Sequence, residues 1–232
     1  MKKIGIIGAM EEEVNILKKR MEDVTIQRIA SMEFYEGKVG GCQAVVVQSG
    51  IGKVNAAVCT QILADVFHID AVINTGVAGS LRKEINIADI VLSTDAVQHD
   101  MDATGFGYDL GVIPRMETSV FTADPELVTL AEQICREDIR DVGVHTGRIV
   151  SGDQFISDSG KKEWLAKYFG GLCTEMEGAA IAQAAYLNHI PFLIVRAISD
   201  KADHSAEMAY SVFEGIAIKN TVKLLTGLLG RL

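Results

Sequence analysis

Ile190-Pro191-Phe192-Leu193-Ile194-Val195-Arg196-Ala197-Ile198-Ser199-Asp200 is an apolar run that stops on Arg, Ser and Asp. Such a run reads as a buried strand, and a buried strand ending on charged groups delivers them to the carboxyl edge of a sheet. Open α/β sheets bind ligands at that edge. A short way upstream, Cys173-Thr174-Glu175-Met176-Glu177-Gly178-Ala179-Ala180 places two acids astride a Met, followed by small residues that open a helix predicted over about 175–188. The rest of the chain reads as a frame for these two segments.

Working outward, the same grammar recurs. Ile4–Ile7 ends at Gly8 and leads to Glu11, Glu12 and Glu13, with Val14, Leu17 and Met21 at helical spacing. Three acids in a first helical turn suit the positive end of the helix dipole; a second reading turns one of them back over the strand end as a general base. Phe34–Val39 and Ala44–Gln48 flank Gly40-Gly41, a hairpin signal. Ser49-Gly50-Ile51-Gly52-Lys53 then opens a helix. It lacks the third glycine of a dinucleotide fingerprint and the Gly-Lys-Ser/Thr register of a P-loop, so it reads as a glycine turn that lets backbone approach a ligand.

Strands are predicted at 71–80, 90–93 and 142–150. Asp124-Pro125 caps a helix, and further helices are expected over about 159–168 and 207–229, the last with Val212, Ile216, Leu224 and Leu228 on its apolar side. His99, Asp100 and Asp102 superficially suggest a metal, but no second His or helical i, i+4 pair accompanies them, and a polar loop that fixes its own backbone is the simpler reading. Gly105 to Met116 has no periodicity and suits a functional loop or a subunit contact. Five strand ends (Gly8, Ser49, Gly76, Ser151, Asp200) finish on small or polar residues. The expected fold is a three-layer α/β/α sandwich with a mixed central sheet.

Bulk properties narrow the classes. The 232 residues are 48% hydrophobic and 23% charged, with three prolines and no linker-like run, so one domain over 1–232 is expected. A net charge of -9 argues against nucleic acid or an anionic membrane as partner. Cys42, Cys59, Cys135 and Cys173 are scattered, without metal or redox spacing, and read as reduced thiols. The first residues form a strand and not an export signal, and no apolar run reaches the ~20 residues of a membrane span. The cytoplasm is the expected location, with no metal and no cofactor.

Taken together and in order, Gly5–Glu13, Ser49–Val54, Asn74-Thr75-Gly76, His99-Asp100 with Asp102, Thr104 and Phe106-Gly107-Tyr108, Ser151-Gly152-Asp153, Glu175-Met176-Glu177 and Arg196–Asp200 resemble the nucleoside phosphorylase/hydrolase superfamily, and within it the bacterial 5′-methylthioadenosine/S-adenosylhomocysteine nucleosidases. The resemblance spans almost the whole chain. It implies a nucleoside phosphorylase-like fold and hydrolysis of an N-glycosidic bond, releasing adenine and a thio-ribose in methionine salvage and S-adenosylmethionine recycling. It implies that Asp200, held by Ser199, protonates the adenine; that Glu13 activates water; and that Arg196 helps hold the water and the acids. By the same resemblance Glu177 takes the ribose hydroxyls, Met176 packs on the sugar, Phe155 stacks on the base and the Ile156 backbone reads its edge. Met10, Ile51, Phe106 and Tyr210 surround the sugar and 5′-thio group, and the loop near Pro114 reaches a neighbouring subunit's pocket in a homodimer. By pattern alone Thr174-x-x-Glu177 is a capping box, and only the resemblance gives Glu177 to the ribose. The chain departs from the family at Val77, usually Ser, and at Ser80, often Gly. Two rivals remain: a purine nucleoside phosphorylase, disfavoured by the acidic first loop, and a non-catalytic nucleoside-binding module.

Overall fold

The computed structural model describes residues 2–203 and 206–232, with the side chains of 206–217 outside the description. Ten strands and six helices follow one another as β1 (Lys3–Gly8), α1 (Glu11–Lys18), β2 (Glu22–Ile29), β3 (Met32–Val39), β4 (Cys42–Gln48), α2 (Lys53–Asp65), β5 (Ala71–Ser80), β6 (Ile90–Gln98), β7 (Phe121–Thr122), α3 (Pro125–Asp138), β8 (Val144–Ser151), α4 (Ser159–Phe169), β9 (Cys173–Glu175), α5 (Gly178–Leu187), β10 (Phe192–Asp200) and α6 (Ala206–Leu229). A 3-10 turn, Thr104–Phe106, lies between β6 and β7.

The sheet is mixed, as expected. β1 pairs in parallel with β4 and β5, and β5 in parallel with β10. The carboxyl ends of these four strands therefore emerge on one edge. β10 also pairs with β6, and β9 bridges β8 to β5. Strands β5, β10, β6, β8 and β9 thus close on themselves, and β1, β4, β3 and β2 extend the sheet outward from β5. This closure brings the end of β9 back over the end of β10.

Side chains alternate between two cores, as the two-residue period of a strand requires. Ile4 and Ile6 of β1, Ala44 and Val46 of β4, and Leu193 and Val195 of β10 pack with Val14 and Leu17 of α1, Leu127 and Ile134 of α3, and Leu224 and Leu228 of α6. Ile7, Val45, Val47, Ile194 and Ile198 face the other way, onto Ala56, Cys59 and Leu63 of α2 and Ala179, Ile181 and Ala185 of α5. Each fully buried aliphatic side chain stabilises the fold by about 1.5–3 kcal/mol. Helices on both faces explain why the strands read as continuous apolar runs and not as alternating ones. Val212 and Ile216, expected on the apolar side of α6, lie outside the described side chains.

Two local expectations are corrected. The helix predicted from Glu175 starts at Gly178, and Cys173–Glu175 is a short strand. Thr174-x-x-Glu177 is not a capping box: the Thr174 hydroxyl is buried and has no hydrogen-bond partner. The orphan N–H groups of Glu177 and Gly178 donate instead to Glu175 Oε2, at 3.0 and 2.7 Å. A β-paired Thr174 cannot turn its hydroxyl into the following helix, whereas Glu175 is long enough to reach back. The strand expected at 90–93 continues to Gln98. Among the described residues no helix is long and apolar enough to cross a membrane.

The start of α3 follows the sequence reading closely. Asp124 Oδ1 accepts from the N–H groups of Glu126 and Leu127, at 3.0 and 2.9 Å, with Pro125 as the first helical residue. Asp124→Ala is expected to lower the unfolding free energy by about 1 kcal/mol, read as a shifted urea midpoint with unchanged slope. An unshifted midpoint would show that the cap does not matter to this helix.

Candidate active site

Glu13 is the third residue of α1, and it is the acid of the three that turns inward. Glu11 binds Lys18 at 2.6 Å on the surface, and Glu12 is exposed. Glu13 is buried, its Oε2 accepting from the N–H groups of Ala9 (2.7 Å) and Met10 (3.0 Å) and its Oε1 from Val77 N–H (3.2 Å). The carboxylate lies directly against β5: a β-carbon at Gly76 would stand 2.6 Å from Glu13 Oε1 and 3.0 Å from Arg196 Nη1. Only glycine fits there. Burial pushes the Glu13 carboxyl up, and the Arg196 charge and the three N–H donors offset part of that rise.

Asp200 ends β10. Its Oδ2 accepts from Ser199 Oγ at 2.9 Å and its Oδ1 from Ala202 N–H at 2.7 Å. Burial raises this carboxyl too, while those two hydrogen bonds pull it back.

Between the two acids sits a cluster around Arg196, which is 1% exposed. Its guanidinium donates to Glu175 and to Asn74 Oδ1. Glu175 also accepts from Ser151 Oγ and from the two N–H groups that begin α5. Burial alone would raise Glu175, but Arg196 and these donors hold it below the usual carboxylate range. Glu177 Oε1 accepts from Gly52 N–H at 2.8 Å. Burial and the neighbouring Glu175 charge push its carboxyl up to about 7.

These groups share one cavity of about 510 Å³, lined by Met10, Glu13, Ile51, Val77, Gly79, Phe155, Thr174, Glu175, Met176, Glu177, Ser199 and Asp200 among others. Most residues expected at a site are thus brought together. Arg196 lies beneath the wall and acts through Glu175. Ile156 is buried just outside the lining, beside Phe155. Phe106 is 87% exposed in the 3-10 turn and does not line this chain's own cavity. The turn ends in left-handed Gly107 and projects the ring to solvent. Pro114 is half-buried and also outside the cavity, and the Tyr210 side chain lies outside the described residues.

Val77 contributes its N–H to Glu13, a bond that any residue type can supply. The Ser80 hydroxyl donates to Arg82 O at 2.8 Å and accepts from Arg82 N–H at 3.2 Å, away from the cavity. Asp102 accepts from the N–H and the hydroxyl of Thr104 and so fixes its own turn, whereas Asp100, expected in the same self-fixed loop, is held from outside by Lys53 Nζ and Asp153 N–H. Among the described residues no three His, Cys, Asp or Glu side chains are grouped to hold a metal ion.

Sequence reasoning missed Glu175 as the partner of Arg196, and Asn74 as its second acceptor. Two acids two residues apart on a predicted helix gave no signal of which one faces the arginine.

Residues 3–230 match the family model described as the phosphorylase superfamily. The chain belongs to the phosphorylase superfamily. Within it, the chain is 44% identical over 231 residues to a 5′-methylthioadenosine/S-adenosylhomocysteine nucleosidase of an Exiguobacterium species, covering 99% of this chain and 98% of the relative. It is 43% identical to the enzyme of the same name from Staphylococcus carnosus, covering 97% and 98%. A crystal structure of the Neisseria meningitidis nucleosidase in complex with methylthio-immucillin-A superposes with a TM-score of 0.96 over the whole of both chains, at 38% identity.

The superfamily site in this chain has a pH signature. Glu177 titrates near 7 when folded and near an ordinary ~4.3 when unfolded. The folded state therefore binds the extra proton, and the stability that this proton contributes is full below the unfolded value and lost as pH rises through about 7. From about pH 5 to about pH 8, the parent protein should lose on the order of 2–3 kcal/mol relative to Glu177→Gln. Denaturant titrations at both pH values check this, and parallel behaviour of the two proteins would refute it.

Proposed function

We propose that the chain hydrolyses the N-glycosidic bond of 5′-methylthioadenosine and S-adenosylhomocysteine, releasing adenine and the 5-thio-ribose product. The observation that carries this reading is that Glu13 and Asp200, from opposite ends of the sequence, open onto one cavity whose lining, among the described residues, has four carboxyl groups and no basic side chain.

The chemistry follows from the environments. Purine departure is difficult because the leaving base carries negative charge unless it is protonated. Asp200, kept protonated more readily by burial, donates to nitrogen 7 of the adenine, and Ser199 holds its orientation. One positioned acid supplies about 10²–10⁴-fold, roughly 3–5 kcal/mol of barrier. The ribose then carries oxocarbenium-like positive charge, and fixed carboxylates stabilise it. Glu13, anchored by three N–H groups, accepts the proton of the attacking water. Glu177 accepts from the ribose hydroxyls, Met176 packs under the sugar, and Phe155 covers the base, with the Ile156 backbone at its edge. Met10, Ile51 and Tyr210 surround the sugar and its 5′-substituent.

The same wall argues against phosphorolysis. A phosphate dianion in place of the water would face Glu13 and Glu177, and Arg196 is already occupied by Glu175 and Asn74. Each like charge at ~4 Å costs on the order of 4 kcal/mol at an effective dielectric near 20.

The reading includes a homodimer. Val54 and Val58, one turn apart on α2, are 74% and 40% exposed, and Phe106 projects nearly free of its own chain. A second copy covering this face would bury them and bring Phe106 and the Pro114 loop to the neighbouring pocket. The protein belongs in the cytoplasm on this reading, in keeping with four buried, unpaired cysteines.

Purified protein is expected to release adenine from methylthioadenosine at the same rate with and without phosphate; strict phosphate dependence would make it a phosphorylase. Asp200→Asn and Glu13→Gln should each lower turnover by at least about 10²-fold with an unchanged circular dichroism spectrum, and near-normal turnover in either would remove that residue from its role. Sedimentation equilibrium should give twice the chain mass, whereas a monomer at micromolar concentration would rule the dimer out.

A further inference from the structure

The glycine turn before α2 ends on a lysine that the chemistry above does not use. Lys53 Nζ donates to Asp100 Oδ1 at 2.6 Å and to Gln98 Oε1 at 3.0 Å. Its backbone N–H donates to Asp153 Oδ1 at 2.8 Å. Asp100 closes the circuit, its Oδ2 accepting from Asp153 N–H at 2.9 Å. The side chains of Lys53 and Asp100 are only 18% and 17% exposed. Three separate segments, the turn before α2, the end of β6 and the turn after β8, are thereby tied at one point.

That point lies behind the mouth of the cavity. Ile51 stands two residues before Lys53 and Phe155 two residues after Asp153, and both line the cavity. Between Ile51 and Lys53, Gly52 has φ +97° and gives its N–H to Glu177 Oε1. A change at the knot moves the aromatic cover, the apolar wall and the ribose-binding carboxylate together. Glu13 and Asp200 are held elsewhere, by Ala9, Met10 and Val77 in the first case and by Ser199 and Ala202 in the second.

We propose that Lys53, with Asp100, is a positioning residue that sets how the nucleoside is held without taking part in how its bond is broken. The proposal rests on the nucleosidase reading above. Removing the ammonium leaves Asp100 partly buried without its counter-charge and cuts the ties from the turn to Asp100 and Gln98, so that only the backbone N–H bonds of Lys53 and Asp153 still join the three segments. The walls that grip base and sugar alike in substrate and transition state then slacken. Loss of such uniform binding raises KM and leaves kcat.

The test compares Lys53→Met, Lys53→Arg and Asp100→Asn with a control, Lys3→Met, which breaks a comparable ion pair with Glu36 (2.7 Å) at the amino end of β1. Adenine release gives kcat and KM, calorimetry gives the affinity for adenine, and thermal unfolding gives Tm. Lys53→Met and Asp100→Asn should raise KM for methylthioadenosine by about tenfold or more, a loss on the scale of a misplaced binding wall, with kcat changed less than about threefold. Adenine affinity should fall in parallel, and Lys53→Arg should restore part of it. Lys3→Met should lower Tm without moving KM. An unchanged KM in both Lys53→Met and Asp100→Asn, or a KM shift that Lys3→Met reproduces, would overturn the proposal. Absence of adenine release by the parent protein would count instead against the nucleosidase reading, and adenine affinity would still report on Lys53.

Discussion

A single, almost fully buried guanidinium sits among three carboxylates, and most of the site follows from that imbalance. Arg196 commits itself to Glu175 and Asn74. A buried ion pair is favourable only when its remaining valences are met, and Glu175 meets them with a hydroxyl and two helix N–H groups. Glu175 is therefore the acid that stays charged. Burial and then the Glu175 charge push Glu177 to about 7, while burial raises Glu13 against the pull of Arg196 and its three N–H donors. One arginine thus leaves three chemically identical side chains in different environments, one a fixed anion and two with raised carboxyls.

The fold makes this arrangement possible by letting side chains approach backbone. Parallel β1, β5 and β10 end together, and Gly76 in β5 removes the one β-carbon that would keep Glu13 from the guanidinium. The ring closure through β9 then lays Glu175 over the end of β10. An open sheet with the same strands would leave Arg196 without its partner. Closure also brings Thr174 and Met176 into the lining that Ala9 and Met10 share.

Much of this was legible in the sequence, and the boundary of what was legible has a physical cause. Strands buried on both faces announce themselves as apolar runs, and Asp124-Pro125 announces a cap because the geometry is local. The mixed sheet was readable on the same grounds, whereas the choice of Glu13 among three neighbouring acids came from the ordered family motifs alone. What failed depended on long-range contact. Thr174-x-x-Glu177 satisfies the local rule for a capping box, yet strand pairing with β5 and β8 turns the threonine away and leaves the role to Glu175.

The division of labour in the site is the last consequence. The acid and the base are each fixed by hydrogen bonds from within a few residues or from one adjacent strand, so their geometry is set wherever β1, β5 and β10 are formed. The surfaces that hold the nucleoside are borne on turns, which have little rigidity of their own. Turns become a precise wall only when something outside them fixes their positions, and here that is a knot of charge and amide contacts between Lys53, Asp100 and Asp153. Chemistry rests on the sheet and recognition rests on the turns. On the nucleosidase reading proposed above, a change of 5′-substituent can then be accommodated by altering Ile51 or the segments that approach it, while Asp200 and Glu13 keep the positions that the sheet gives them.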